Sequence, residues 1–196
     1  TALAILIEQG RGTAPDLAAA VALLRRADQE TDFAPARLWL GRLAGEGKLD
    51  GLLAPQTAVP WAAQAIEEQN DAGALAWLEA QAKGENRVAR TTLALLLQGR
   101  GGDKVRIATL LAEAAERGDA IAQFHLGELY LTGTGVAPDP VEAHKWFNIA
   151  ATQGISKAAD ARARMGGQMT PEQVAKAQNA ARLWFDQEVA RAPQTK

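Results

Sequence analysis

The chain has 196 residues, 47% of them hydrophobic and 22% charged, with a net charge of −2, no cysteine, two histidines and a single serine. Disulfides, cysteine-based zinc sites and a cysteine nucleophile are therefore excluded, and a serine hydrolase would rest on Ser156 alone. The charge balance lacks the positive field of a nucleic-acid binder, and no apolar run reaches the roughly 18 residues that span a bilayer.

Forty-three residues are alanine, close to half of the apolar content. Together with Leu, Glu, Gln and Arg they favour helix throughout. Glycine clusters punctuate the chain at Gly10–Gly12, Gly45–Gly47, Gly99–Gly102, Gly133–Gly135 and Gly166–Gly167, and such spacing calls for a repeat search. Ala36-x-x-x-Leu40-Gly41 returns as Ala122-x-x-x-Leu126-Gly127, and Trp61 returns as Trp146. Each repeat reads as helix A, a glycine turn, helix B and a shorter turn.

In chain order, the repeats fall at about 1–32, 33–70, 71–87, 88–118 and 119–155, with a partial one at 156–168. The first opens at Thr1 without an N-cap motif, so a truncated or partner-covered amino end is expected. The second carries an enlarged turn, Lys48–Val59, with Pro55 and Pro60 framing the start of its helix B. The third is degenerate. Ala74, Trp77 and Ala82 match helix B positions, so one helix is missing or remodelled between Trp61 and Val88. The fourth keeps Leu110, Ala114, Ala115 and Gly118 in phase with the fifth.

In the fifth, Asp119 is the N-cap of a helix A whose buried stripe is Ala122, Leu126, Leu129 and Tyr130. Asp139-Pro140-Val141-Glu142 opens helix B as a capping box with proline at the first helical position. Ala143, Trp146, Phe147, Ala150 and Ala151 form its inward face. After the partial helix comes a second capping box, Thr170-Pro171-Glu172-Gln173. It opens an amphipathic helix to about Ala190 with Val174, Ala177, Ala181, Trp184 and Phe185 on its apolar side. Residues 169–196 are then a capping helix and tail, which the last repeat of a solenoid needs over its apolar face.

The segment AQFHLGELYLTGTGVAPDPVEAHKWFNIAATQG, Ala122 to Gly154, resembles a Sel1-like repeat. The family pattern falls on Ala122, Leu126-Gly127, Tyr130, Gly133-Thr134-Gly135-Val136, Asp139, Ala143, Trp146, Ala150-Ala151 and Gly154. The stretch ARARMGGQMTPEQVAKAQ is similar to the closing segment of many bacterial members. The resemblance is strongest over 119–165, good over 1–47 and 88–118, and poor over 48–87. It implies an all-α fold, a right-handed α/α superhelical solenoid of about five repeats related to tetratricopeptide repeats. It also implies an adaptor for protein complexes, since bacterial members often work in the cell envelope, in exopolysaccharide export and in control of sensor kinases.

Candidate sites are few. His125 and His144 occupy no repeat-defining position and lack metal-ligand spacing, so ordinary surface or groove histidines are expected. Gly99-Arg-Gly-Gly-Asp-Lys104 lacks the phosphate-loop pattern and follows no strand. No nucleophile, base and orienting group can be assembled, so no catalytic residue, metal or cofactor is expected. The tryptophans at 39, 61, 77, 146 and 184 fall mostly on packing positions. In tetratricopeptide-like stacks the A helices line a concave side where partner segments dock. On the fifth-repeat A helix the residues off the packing stripe are Phe124, Glu128 and Leu131. The second repeat offers Leu38, Trp39 and Arg42.

The expected function is a non-enzymatic scaffold that binds a protein partner through the groove or the solenoid ends, without nucleic acid and without a membrane span. A bacterial envelope, secretion, exopolysaccharide or signalling complex is the favoured setting, periplasmic or envelope-associated rather than cytoplasmic. The alternatives are a hydrolase of cell-wall or β-lactam type and a fragment of a larger solenoid regulator.

Overall fold

The alanine-rich periodicity resolves, in a computed structural model that describes residues 2–12 and 14–191, into an all-α repeat fold with eleven helices among the described residues. They form two compact halves, Thr1–Leu96 and Leu97–Lys196. The first holds α1 (Ala2–Glu8), α2 (Leu17–Thr31), α3 (Ala34–Gly45), α4 (Pro55–Gln69) and α5 (Ala72–Lys83). Helix α6 (Arg87–Gly99) runs across the division. The second holds α7 (Lys104–Glu116), α8 (Ala120–Thr132), α9 (Pro140–Thr152), α10 (Ser156–Gly166) and α11 (Pro171–Arg191). The expected helix start at Thr1 and the last tail residues, 192–196, lie outside the described residues.

Aspartate starts five of these eleven helices. Asp16, Asp71, Asp103, Asp119 and Asp139 each accept a hydrogen bond from a backbone N–H of the first turn, satisfying donors that the helix itself leaves free. The capping box at Thr170 is complete. The Thr170 N–H donates to Gln173 Oε1 at 2.9 Å and the Gln173 N–H to Thr170 Oγ1 at 3.3 Å. The box expected at Asp139 is made by half. Glu142 accepts instead from Lys145 Nζ at 3.1 Å, because the Asp139 N–H already donates to the Tyr130 carbonyl at 2.9 Å.

Small residues set how closely helices approach. In the amino-terminal half, a Cβ placed on Gly41 of α3 would stand 2.3 Å from the Trp61 carbonyl oxygen of α4, and one on Gly45 would stand 2.4 Å from the Ala74 nitrogen of α5. Backbone therefore meets backbone at both crossings, which only a missing side chain allows. Buried alanines fill the same layers: Ala36 and Ala44 on α3, Ala62 and Ala65 on α4.

The segment left open at 71–87 is filled by α5, a capped helix packed against both α3 and α4. Its Ala74, Trp77 and Ala82 are buried, and α6 follows after the short turn at 84–86. The enlarged turn also ends earlier than expected. Helix α4 starts at Pro55, and Pro60 lies inside it rather than at its start. Proline suits the first helical position because that N–H has no partner to lose.

The tryptophans of this half do more than fill space. Trp39 Nε1 donates to Glu8 Oε2 at 3.1 Å, Trp61 Nε1 to Asp28 Oδ2 at 3.0 Å and Trp77 Nε1 to Asp50 Oδ1 at 3.4 Å. Each indole thus ties α3, α4 or α5 to a carboxylate about one repeat upstream.

In the carboxy-terminal half the expected stripes are in place. Ala122, Leu126 and Leu129 are buried on α8, with Tyr130 half-buried; Ala143, Trp146, Phe147 and Ala150 are buried on α9, with Ala151 half-buried. Gly133 ends α8 at φ 71°, and Gly135, at φ 74°, comes so close to α7 that a Cβ would stand 2.1 Å from the Lys104 carbonyl oxygen. Helix α11 lays Ala177, Ala181 and Trp184 on α9, where Trp184 meets Trp146 edge to face with centroids 6.4 Å apart.

Candidate protein-binding groove

Helix α8 carries its buried stripe on one side, which leaves Phe124, Glu128 and Leu131, at i, i+4 and i+7, together on another. Facing them across a cavity of about 240 Å³ stand Lys157, Asp160, Ala161 and Arg164 of α10, with Phe147 of α9 as the floor. Leu131 is 50% exposed at the edge of this cavity. Phe124 is half-buried and rests on Phe147, with centroids 5.9 Å apart.

The Leu-Gly pair of the repeat builds this floor. A Cβ on Gly127 would come within 2.7 Å of the Phe147 ring, so glycine is what lets the ring lie against α8. One groove carboxylate is already engaged, since His125 Nδ1 lies 2.9 Å from Glu128 Oε2. Lys157, Asp160 and Arg164 are exposed and make no side-chain hydrogen bond or ion pair among the described residues.

The three candidates from the fifth repeat therefore line one cavity. Those from the second repeat form a separate cluster on α3. Trp39 is held by Glu8, the Arg42 guanidinium lies 3.8 Å above the Trp39 ring, and Arg42 Nε is 3.1 Å from Glu46 Oε1. Leu38 is half-buried beside them. Lys48 Nζ closes the cluster, 2.8 Å from Glu8 and 2.9 Å from Glu46, and hydrogen bonds to these two carboxylates raise its pKa above the usual 10.5. The indole and the guanidinium on this face are thus engaged within the protein.

The α10 half of the cavity was not singled out from the sequence. Its signal is present nonetheless: Lys157, Asp160 and Arg164 stand at i, i+3 and i+7, the spacing of one helix face. His144 also differs from expectation. It is 4% exposed rather than a surface or groove residue. Burial, reinforced by the nearby Arg162 charge, lowers its pKa below 6.5. Ser156 begins α10 on the surface, and among the described residues no group of His, Asp and Glu side chains could hold a metal ion. The glycine-rich segment 99–104 is the turn into α7, where Asp103 caps the helix.

A Sel1 repeat family model matches residues 1–27 and 120–155, the segments that form α1–α2 and α8–α9. These two segments are Sel1-like repeats. This Sel1 repeat protein is 30% identical over 129 residues to chitin synthase regulatory factor 3 of Schizosaccharomyces pombe, covering 64% of this chain and 12% of that protein. Among solved structures it resembles a protective antigen of uropathogenic Escherichia coli strains that displays the same repeat fold. The TM-score is 0.57 and the identity 25%, over 100% of this chain and 47% of the antigen. A Sel1 repeat protein from Oxalobacter formigenes matches with a TM-score of 0.44 and 23% identity, over 92% of this chain and 82% of that one. The Sel1 repeat protein thus spans under half the length of the antigen and about an eighth of the yeast regulatory factor. Sel1 repeats generally serve protein–protein interaction. Among the described residues, no helix is long and apolar enough to cross a membrane.

Proposed function

We propose that this Sel1 repeat protein is a non-enzymatic adaptor that seats a segment of a protein partner in the groove between α8 and α10. The observation that carries the proposal is the cavity itself. An aromatic floor, a half-exposed leucine and an unpaired charged rim converge there from three helices. That combination suits recognition of a side chain with an apolar body and charged neighbours. The cluster of Leu38, Trp39 and Arg42 is a secondary contact surface, because its polar atoms are already engaged internally.

The name of the yeast relative, a regulatory factor for a synthase, supports a role in controlling another protein rather than in chemistry. The setting we favour is a bacterial cell-envelope, secretion, exopolysaccharide or signalling complex in the periplasm. The resemblance of the closing segment to bacterial members supports this, and no nucleic acid takes part.

A photo-cross-linking residue at position 131, compared with one at Val105 on α7, tests the site in the native organism. Val105 is 63% exposed and lies outside the cavity. A partner captured from position 131 and not from position 105 is the expected result. Equal capture from both, or capture from neither while the protein still assembles with its partner, would overturn the groove assignment.

A further inference from the structure

From the arrangement of apolar and charged residues in the groove, and resting on the groove assignment above, we infer that its occupant is an amphipathic helix of the partner. Apolar residues stand at i+3 and i+4 of this helix, and carboxylates at i and i+7. The unengaged charge of the groove is two cations against one carboxylate. Lys157 and Arg164 are unpaired, Asp160 is unpaired, and Glu128 is already bonded to His125.

The two cations are seven residues apart on α10, so they stand about 10.5 Å apart along its axis. Phe124 and Leu131 are seven residues apart on α8, with the same axial span. A docked helix reproduces this spacing on one face, because its positions i and i+7 are also about 10.5 Å apart and i+3 and i+4 lie between them. An extended peptide covers about 10 Å in three residues, an odd number, which turns the two carboxylates to opposite sides. Asp160 stands between the cations and repels a carboxylate there, so the central positions of the ligand are apolar and rest on the exposed parts of Phe124 and Leu131.

The test uses the full chain and a fluorescein-labelled, alanine-based helical peptide with Glu at i and i+7 and Leu at i+3 and i+4. Its analogue has Lys in place of both glutamates, and binding is read by anisotropy. The glutamate peptide binds about fivefold to tenfold more tightly than the lysine analogue, as expected for two exposed ion pairs. The ratio shrinks as salt rises. The double substitution Lys157→Glu/Arg164→Glu reverses the preference, while Asp160→Asn tightens the glutamate peptide. All three residues are exposed, so unfolding is not expected, and circular dichroism checks it.

Equal binding of the two peptides, or binding unmoved by the double substitution, overturns the inferred charge pattern. If a partner still cross-links at position 131 in that case, the groove assignment stands and only its ligand chemistry falls. Absence of binding by either peptide overturns the helical occupant. A dimer of the free chain that dissociates on the double substitution overturns it too, in favour of a second copy of the chain.

Discussion

The Leu-Gly pair that defines the repeat occurs in both halves, yet its two glycines face different neighbours, and replacing each by alanine separates their roles. At Gly41 the new Cβ meets the Trp61 carbonyl oxygen at 2.3 Å and its carbon at 2.9 Å, with the Ala65 Cβ at 2.7 Å. An ordinary carbon–oxygen contact is about 3.5 Å or slightly less, so α4 must recede by about 1 Å. Backbone in a helix cannot rotate away as a side chain does. Overpacking of this kind costs about 1–3 kcal/mol, and a crossing of two backbones belongs at the upper end. Replacing a mid-helix glycine by alanine returns about 1 kcal/mol of helix propensity. The net is a loss of about 2 kcal/mol, or a fall in Tm of roughly 4–8 °C for a chain of this length.

At Gly127 the neighbours are Phe147 ring atoms at 2.7 and 2.8 Å. The ring borders the α8–α10 cavity and can tilt into it, so Gly127→Ala changes stability by less than about 1 kcal/mol. The tilted ring fills the cavity floor instead, and partner capture through position 131 falls. Denaturant melts of both variants, read by circular dichroism and paired with the cross-linking assay, check the contrast. Two outcomes refute the reasoning: Gly41→Ala as stable as the parent, or Gly127→Ala as costly as Gly41→Ala with capture intact.

Three further outcomes are expected. Asp71→Ala removes the acceptor 2.9 Å from the Ala74 N–H and lowers stability by about 1 kcal/mol, seen as a shifted denaturant midpoint with an unchanged m-value; an unshifted midpoint would mean that α5 does not depend on this cap. His144 binds its proton less readily folded than unfolded, because its pKa lies below 6.5 in the protein. The unfolded chain therefore takes up the proton first as pH falls, and stability drops from about pH 7 downward until the folded-state pKa is passed. In His144→Gln that part of the slope is absent from melts taken between pH 7 and 5; a slope identical to the parent would show that other groups cause it. Replacing Ser156 and His144 together by alanine leaves partner capture through position 131 in place, and any hydrolysis by the pure parent protein that this double variant loses would revive the hydrolase alternative.

Much of the fold was legible because its rules are local and repeat. Asp119 and Thr170 are visible as caps from a few neighbouring residues, and the stripe Ala122, Leu126, Leu129 follows from helical spacing alone. The segment 71–87 was harder for a physical reason. Ala74, Trp77 and Ala82 pack as repeat residues do, but α5 reaches α6 through the single Gly84, without the two-glycine turn that marks a pair, so residue class and punctuation disagree. The unformed half of the Asp139 box was equally hidden. Nothing near Glu142 in sequence reveals that the Asp139 N–H is taken by the Tyr130 carbonyl.

The groove was half legible for a related reason. Phe124, Glu128 and Leu131 stand out within one repeat because an alignment exposes what does not belong to the packing stripe. Lys157, Asp160 and Arg164 lie in the next repeat, on a helix whose charges look like an ordinary solvated face. Their meaning comes from standing across a cavity from Leu131, a relation between two repeats that neither contains alone. A repeat fold conserves the contacts that stack one pair on the next, so its helix-packing positions recur and can be aligned. Residues that meet a partner are released from that constraint, and Leu131, half-exposed across the cavity from Lys157, Asp160 and Arg164, can vary without disturbing the stack. Under the proposed groove assignment, binding specificity sits where the repeat pattern is silent, on the rim of α10.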